Sequence, residues 1–376
     1  MFRIGAAVHG RDDIIHLEFG EPDAPTPAHI VEAAMRSLRD ERQGYGPSTG
    51  MPFLREAIAT RAQRVDGISA SPEHVIATAG GTGALMASLQ CLVSPGDEVL
   101  VPDPAWPGYD GMLAAAGARM VRYPLTPENG WQPDLDALGR VMTPRARVLL
   151  VNTPSNPAGA VYPRATMLSL LEFARQRDLW ILADECYDEF VYAGEHVSLG
   201  ALDDERVITI GTCSKSYAMT GWRVGWAIVP RSLASAAGIV VAAQINNLPL
   251  FAQRAAHAAL TGPQDCVGEM AAAYQARRDR VIAQLARYGC RVPAPEGAFY
   301  LLVPVAARQP GLGASAFDSV AFAEELIRRK RVAVAPGAAF GPGSANYVRI
   351  SLASADDSLR AGVDRLMAFA AEHSGA

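Results

Sequence analysis

The sequence predicts an α/β protein, with a mostly parallel, doubly wound sheet in a large domain and a smaller α+β domain made from both termini. Three observations predict this fold class. Short apolar runs alternate with amphipathic stretches between residues 74 and 229, and this alternation stops after residue 230. Hydrophobic residues make up 49% of the 376-residue chain and charged residues 19%, which is enough apolar material for a large core.

The predicted strands of the large sheet are rich in Val, Ile and Leu, and Pro, Gly, Asn or Asp residues bound them. Continuous apolar runs of this kind are typical of strands that are buried on both faces. Helical stretches such as 83–92 and 163–178 separate the strands, and the second begins with Pro163 and ends in basic residues, the expected helix polarity. Strand–helix–strand repetition predicts a parallel sheet covered by helices on both faces. The predicted strands are 74–80, 98–103, 119–125, 147–152, 179–185, 206–211 and 222–229.

The second half of the chain follows a different pattern. Residues 231–289 are Ala-rich and predicted to be helical, with one long helix at 268–289 that Gly289 ends. Residues 1–40 have no strand partner nearby in sequence, and we assign them to the C-terminal unit. The predicted domains are therefore 41–267 (large) and 1–40 together with 268–376 (small). The small domain is predicted to contain strands 299–305, 331–336 and 347–353 and helices 316–329 and 356–372.

Charge and cysteine content exclude several classes of protein. Lys and Arg number 34 against 39 Asp and Glu, and no basic block is present, so neither nucleic acid nor an anionic membrane is an expected partner. No apolar run approaches the length of a membrane span, and no signal-peptide pattern precedes the first strand. The five cysteines show no CxxC spacing and no neighbouring His, which predicts a reducing cytoplasm and no metal site.

Primary amines are scarce in this chain. The basic residues comprise 32 Arg and only two Lys, Lys215 and Lys330. Lys330 lies in the basic run 328–331 at a predicted helix end, where solvated charge is the ordinary interpretation. Lys215 instead follows the sixth predicted strand among small and hydroxyl residues, so any amine chemistry is expected there.

Ligands of open parallel sheets bind beyond the carboxyl ends of the strands, so the residues that follow each strand are informative. The first strand leads into Gly80-Gly81-Thr82-Gly83 at a helix start, which suits a phosphate or, equally, a tight turn. A Pro-rich loop after the second strand presents Trp106, as a stacking ring or a hydrophobic plug. The segment 152–159 holds Asn156 before a proline, which fixes an amide or forms an ordinary turn.

The fifth and sixth strands end in charged residues. Asp184 follows an apolar run and should be buried, so it requires an Arg, a His or a cationic ligand as partner. Arg223, eight residues after Lys215, suits bidentate phosphate binding. Phosphate donors, a stacking aromatic, a carboxylate and a shielded amine together predict a site for pyridoxal 5'-phosphate. Glu185 is interpreted as structural or interfacial, and His196 as a surface or loop residue.

An ordered series of motifs resembles the class I/II aminotransferases, the fold-type I pyridoxal-phosphate enzymes. The resemblance covers nearly the whole chain, although only 18 residues precede Phe19, fewer than the family's usual N-terminal arm. The motifs are FGEPDAPTP (19–27), GYGPSTGMPFLREAIA (44–59), GGTGAL (80–85), PDPAWPGY (102–109), NTPSNPAG (152–159), ADECYDEF (183–190), SKSYAMTGWRVGW (214–226), PEGAFYLL (295–302) and PGAAFGPGSANYVRISLA (336–353).

The resemblance implies catalytic and ring-binding roles for particular residues. Lys215 matches the lysine that forms the Schiff base with the cofactor and then moves a proton between the substrate Cα and the cofactor C4'. Asp184 matches the carboxylate that keeps the pyridine nitrogen protonated. Tyr187 and Asn156 match the residues that hydrogen-bond the ring's 3'-oxygen, and Trp106 matches the stacking aromatic.

The resemblance also implies a phosphate site and a substrate site. Arg349 matches the arginine that clamps the substrate α-carboxylate, assisted by the backbone of Gly20 and by Asn156. Tyr45 is similar to a tyrosine that reaches the phosphate of the neighbouring subunit, which implies a homodimer. Thr212 stands where Ser or Gly is commoner and keeps a hydroxyl. The implied phosphate-binding residues are Gly81, Thr82, Gly83, Thr212, Arg223 and Tyr45.

Three functions remain open at this stage. The first is a transaminase that moves the amino group of an L-amino acid to a 2-oxo acid by a ping-pong mechanism. The second is a carbon–sulfur β-lyase or related elimination with the same cofactor. The third is a ligand sensor like the aminotransferase-like domain of certain transcription regulators, which the acidic charge and the short segment before Phe19 disfavour. The sequence alone does not select the amino donor.

Overall fold

A computed structural model of the chain describes residues 2–203, 205–305 and 317–374. It contains a large mixed sheet, two small sheets and helices around them. The elements in chain order are α1 (Phe2–Val8), β1 (Ile15–His16), α2 (Ala28–Asp40), α3 (Pro52–Arg61), β2 (Val75–Thr78), α4 (Gly80–Leu92), β3 (Glu98–Asp103), α5 (Gly108–Ala115), β4 (Arg119–Pro124), α6 (Leu135–Val141), β5 (Ala146–Asn152), α7 (Arg164–Gln176), β6 (Trp180–Asp184), β7 (Val207–Thr212), β8 (Gly225–Ile228), α8 (Arg231–Ile245), α9 (Leu250–Thr261), α10 (Asp265–Arg287), β9 (Tyr300–Pro304), α11 (Ser319–Lys330), β10 (Val332–Ala333), β11 (Ala335–Pro336), β12 (Tyr347–Ser351) and α12 (Asp356–Ser374).

The large sheet has seven strands in the order β2-β8-β7-β6-β5-β3-β4. Strands β3 to β7 pair in parallel, whereas β8 runs antiparallel to both β2 and β7. The predicted α/β class with a mostly parallel sheet is therefore confirmed. The register places Asn152 opposite Asp184, so the ends of β5 and β6 meet at one edge of the sheet. Residues that follow β5, β6 and β7 are thereby brought together.

The smaller domain is built on an antiparallel sheet in the order β11-β12-β9 and on the parallel pair β1-β10. The sequence predicted one strand at 331–336, but the structure divides it at Val334, because Val332–Ala333 pair with Ile15–His16 while Ala335–Pro336 pair with β12. The apolar pattern of a short segment does not show that its two halves pair with different strands. The predicted start of the helix at 316–329 reaches residue 316, which lies outside the described residues.

The N-terminal segment is shared between the two cores. Ile4, Val8 and Leu17 are buried in the core of the small domain, as the assignment of residues 1–40 expects. Helix α2 instead packs on α9, and its Ile30 and Ala34 are buried in the large-domain core. The proposed boundary at residue 40 therefore does not follow the packing of α2. Apolar residues one helical turn apart show that a face is buried, but they do not show against which element.

Within the described residues, no helix is both long enough and apolar enough to cross a membrane. Cys91, Cys186, Cys213 and Cys266 are free thiols, and Cys213 and Cys290 are buried. No group of His, Cys, Asp and Glu suited to a metal ion occurs among the described residues.

Candidate active site

A cavity of about 250 Å³ lies beyond the carboxyl ends of β5, β6 and β7. Residues from both domains line it, so the site exists only when the two domains are packed together. Two of the predicted site residues, Gly83 and Tyr45, do not line it. The predicted residues that do are Gly20, Gly81, Thr82, Trp106, Asn156, Asp184, Tyr187, Thr212, Lys215, Arg223 and Arg349.

Lys215 lies in the turn after β7 and lines the cavity. Its Nζ donates a hydrogen bond of 2.6 Å to the backbone oxygen of Gly20. Burial, together with the nearby guanidinium groups of Arg349 and Arg223, lowers the pKa of the amine to about 8, against the opposing effect of Cys186 and Glu21. A considerable fraction of this amine is therefore neutral near pH 8, which is the nucleophilic form.

Asp184 ends β6 and is buried, at 6% exposure. Its Oδ2 accepts a 2.6 Å hydrogen bond from the Tyr109 hydroxyl, and its Oδ1 accepts one from the Cys186 amide. No described Lys, Arg or His forms an ion pair with it. Burial raises the pKa of the carboxyl, and the Tyr109 hydrogen bond opposes that change. Among the described residues neither an Arg nor a His pairs with it, which leaves a cationic ligand of the three partners that the sequence allowed.

The start of helix α4 and Arg223 line the cavity as a cradle that is suited to an anion. Gly81 and Thr82 lie in the first turn, where backbone N–H groups have no partner within the helix. Arg223 adopts a positive φ of 58° and folds over the chain at Gly80, where a Cβ would approach its Nη2 to 2.6 Å. Glycine at position 80 therefore lets a guanidinium lie against the helix start, an arrangement suited to a phosphate.

The remaining residues of the cradle have different positions. The Thr212 hydroxyl donates to the Val224 carbonyl and accepts from the Ser214 amide, so it braces the turn that carries Lys215. Gly83 lies one residue deeper in the helix, where a Cβ would contact Ala79 and Thr78 at 3.5 Å. Its neighbours therefore belong to the packing of α4 on the end of β2. Tyr45 is 90% exposed and away from the cavity of its own chain.

Arg349 lies in β12 and is almost fully buried, at 1% exposure. Its Nη1 donates to Asn156 Oδ1 at 3.0 Å and its Nη2 donates to the Glu18 carbonyl, but its Nε has no hydrogen-bond partner. The guanidinium stacks on the Tyr300 ring, 4.2 Å from the centroid. Burial lowers its pKa. A buried guanidinium with an unsatisfied donor and no described carboxylate partner is suited to an incoming carboxylate.

Tyr109, Asn152 and Tyr300 are among the lining residues that were not singled out from the sequence. The Tyr300 hydroxyl lies 2.8 Å from the Tyr187 hydroxyl. The Asn152 side chain donates to the Asp184 carbonyl and accepts from the Asn156 amide, so it joins the two residues. Tyr109 and Asn152 lie inside motifs that carried the resemblance, and Tyr300 lies at the start of a predicted strand. Because they stand near residues with predicted site roles, their position in the sequence could have identified them.

A second ion network holds the segment that carries Tyr187. Arg61 is buried and pairs with Asp66, Asp188 and Glu189. The Glu185 carboxylate contacts His196 Nε2 at 3.2 Å and accepts from the Leu199 amide. The interpretation of Glu185 as structural agrees with these contacts. His196 was interpreted as a surface or loop residue; it lies in a loop, but its side chain is only 7% exposed.

The His196–Glu185 pair predicts a pH-dependent contribution to stability. Burial alone would lower the His196 pKa, but the hydrogen bond and charge of Glu185, with Asp188 and Asp66, raise it to about 9. A raised pKa stabilises the folded state below the unfolded value near 6.5, and this contribution is lost as the pH rises through about 9. We expect His196→Gln to lower the free energy of unfolding by on the order of 2–3 kcal/mol at pH 6 and much less at pH 10.

Urea unfolding of the two proteins at pH 6, 8 and 10 measures this difference. His9→Gln, a change at an exposed histidine, is the matched control and should show no such trend. Equal destabilisation by His196→Gln at every pH would contradict the charged pair.

The cavity thus combines one lysine amine of lowered pKa with a buried carboxylate and a helix start that is suited to an anion. The chain belongs to the aminotransferase class I and II family, whose model matches residues 12–366. It is accordingly a transaminase, and that family generally depends on pyridoxal phosphate.

Individual relatives cover nearly all of the chain. It is 39% identical to the arginine–pyruvate transaminase of Pseudomonas aeruginosa, over 99% of this chain and 93% of that protein. It is 38% identical to the aspartate/prephenate aminotransferase of Thermus thermophilus, over 94% and 90%. A mutant structure of the aspartate aminotransferase of T. thermophilus matches with a TM-score of 0.91 at 36% identity, covering 98% of this chain and 96% of that one.

Proposed function

We propose that this transaminase binds pyridoxal 5'-phosphate covalently at Lys215 and transfers the amino group of an L-amino acid to a 2-oxo acid by a ping-pong mechanism. The observation that carries the proposal is the Lys215 amine, whose pKa is about 8, in one cavity with Asp184 and Arg349. Asp184 forms no ion pair with a described residue, and Arg349 Nε has no hydrogen-bond partner. One of only two lysines in the chain thus lies where the cofactor's aldehyde would need it.

The residues present fit this cofactor at each of its functional groups. The α4 start and Arg223 would hold the phosphate, Trp106 would stack on the ring, and Tyr187 with Asn156 would hydrogen-bond the 3'-oxygen. When bound, the cofactor supplies an electron sink for the negative charge that develops at the substrate Cα. The carboxylate of Asp184 lacks a cation in the described chain, so it would keep a proton on the ring nitrogen.

The protein's own groups then bind the substrate and move its proton. Arg349 would bind the α-carboxylate, and its Nε, which has no partner, supplies a free donor for it. The Gly20 region lies against Lys215, so a substrate held there places its Cα close to the amine. Lys215 would act as nucleophile and then carry a proton between the substrate Cα and the cofactor C4'.

The amino donor is to be identified by a panel of half-reactions. The names of these relatives supply arginine and aspartate as the first amino donors to test, and pyruvate and prephenate, which are 2-oxo acids, as the first acceptors. Incubation with each L-amino acid and no acceptor should convert the cofactor to its pyridoxamine form, visible in its absorbance. No conversion by any donor would refute transamination. Pyruvate and ammonia from a cysteine-type substrate without an acceptor would indicate the β-lyase instead.

We further propose a homodimer that works in the cytoplasm. Tyr45 is 90% exposed, and a large aromatic side chain left in solvent supports its burial against a second copy, at the partner's phosphate. The free thiols of Cys91, Cys186, Cys213 and Cys266 support a reducing compartment. Sedimentation equilibrium tests the dimer, and Tyr45→Phe in a confirmed dimer should weaken cofactor binding if the hydroxyl reaches the phosphate across the interface.

The arginine assignment predicts a selective loss of substrate affinity. Lysine keeps the charge at position 349 but cannot present a planar pair of donors, so Arg349→Lys should raise KM for both substrates roughly 10- to 100-fold, with a smaller change in kcat. Steady-state kinetics with the best donor from the panel measures the split. Arg360→Lys, at an exposed ion pair on α12, is the control and should leave both constants unchanged. An unaltered KM in Arg349→Lys would place the carboxylate elsewhere.

A further inference from the structure

The Asp184 carboxylate is buried without compensation by a cation. Its two oxygens accept from a phenol, at 2.6 Å, and from a backbone amide, at 3.3 Å. Ion pairs stabilise the buried carboxylates Asp66 and Asp188 elsewhere in the chain, where Arg61 is within 2.6 Å of each. The neutral partner of Asp184 is therefore a feature of this position and not a general rule of this protein.

Tyr109 provides that partner from the first turn of α5. It is 1% exposed, and it lies three residues after Trp106. The two rings meet edge to face at 90°, with centroids 5.4 Å apart. Gly108 permits this contact, because a Cβ there would come within 2.5 Å of several indole atoms. One side chain thus touches both Asp184 and Trp106.

We infer that Tyr109 is a positioning residue, which holds the Asp184 carboxylate with its hydroxyl and the Trp106 indole with its ring. This inference rests on the proposed function, in which Asp184 meets the nitrogen of the cofactor ring and Trp106 its face. Tyr109 would then fix the position of Asp184, which contacts the edge of the planar ligand, relative to that of Trp106, which contacts its face.

A tyrosine suits this task better than a basic residue would. A hydroxyl donor stabilises the ionised carboxylate and fixes its orientation. A neighbouring Arg or Lys would do the same but would also cancel the negative charge, and the carboxylate would then hold a proton on a bound heterocycle less strongly. The neutral donor leaves the full charge of Asp184 available to the ligand.

The test uses Tyr109→Phe in the full-length protein, because this change removes the hydroxyl and keeps the ring. Two quantities are measured with pyridoxal 5'-phosphate labelled with ¹⁵N in its ring: the cofactor dissociation constant and the ¹⁵N chemical shift, which distinguishes a protonated from a neutral ring nitrogen. We expect the dissociation constant to rise about 10-fold and the ¹⁵N signal to move toward the neutral form. Tyr123→Phe is the matched control, since this buried phenol donates at 2.9 Å to the Leu150 carbonyl away from the cavity.

A double-mutant cycle separates positioning from simple packing. In an Asp184→Asn background, Tyr109→Phe should have little further effect on the dissociation constant, because the carboxylate that it serves is absent. Equal losses in both backgrounds, or a Tyr109→Phe protein with the wild-type constant and ¹⁵N shift, would overturn the inference. Failure of the proposed function is seen separately, as wild-type protein that takes up no cofactor at all, and the inference would fall with it.

Discussion

Lys215→Ala should fold, should retain at most non-covalently bound cofactor, and should lose roughly 10⁴-fold or more in kcat. The change removes both the nucleophile and the proton carrier, and the cavity offers no second lysine to replace them. The donor half-reaction, followed by the cofactor's absorbance, measures the loss. Thermal unfolding should change little, because truncating a buried amine also removes its desolvation cost.

Lys330→Ala is the matched control for this experiment. It is the other lysine of the chain, and its amine contacts Glu372 at 2.5 Å near the end of α11, away from the cavity. The variant should turn over at the wild-type rate. Borohydride reduction followed by peptide mapping should label position 215 in the wild type and in Lys330→Ala. A label at another residue, or normal turnover by Lys215→Ala, would overturn the assignment.

Asp184→Asn should lower kcat by roughly 10²- to 10³-fold or more, the usual scale for removing a preorganised electrostatic group. Asparagine keeps the shape and can still accept from Tyr109, but it carries no charge to hold a proton on the ring nitrogen. The same variant, free of cofactor, should be at least as stable as wild type at pH 8. Burial raises the pKa of Asp184, so its ionised form costs folding free energy that the amide does not.

Two measurements test whether Asp184→Asn loses activity while keeping its stability. They are the rate of the half-reaction and the urea unfolding of the wild type and the variant without cofactor. Asp103→Asn is the control, because this half-buried carboxylate at the end of β3 accepts from the Gly343 amide and does not line the cavity. Full activity in Asp184→Asn, or a large loss of stability without cofactor, would show that the carboxylate serves the fold instead.

The local part of the site was predictable because it depends on which residues follow which strands. In a parallel sheet the carboxyl ends lie at one edge, so Asp184 after β6 and Lys215 after β7 had to be neighbours once the strands were recognised. The chain has only two lysines, so an amine-based reaction had only two possible positions. The apolar runs also predicted the sheet, although not that β8 is antiparallel.

The long-range part of the site was not predictable from spacing. Arg349 and Tyr300 come from the paired antiparallel strands β12 and β9, whose register allows the two side chains to stack, and the packing of the small domain against the large one places them in the cavity. Their place in the site was inferred from resemblance for Arg349 and was missed for Tyr300. The buried position of His196 was also missed, because its contact with Glu185, 11 residues earlier in the chain, is set by the tertiary structure.

By itself, the sequence determined the fold class, the order of the strand ends and the lysine that can act as an amine, because these follow from apolar periodicity, chain connectivity and composition. The tertiary structure decided which partners those groups have: a phenol and no cation at Asp184, a guanidinium with one free donor at Arg349, and an amine with a lowered pKa at Lys215. Hydrogen bonding and desolvation depend on what surrounds an atom in three dimensions, and the linear spacing of residues does not record those surroundings.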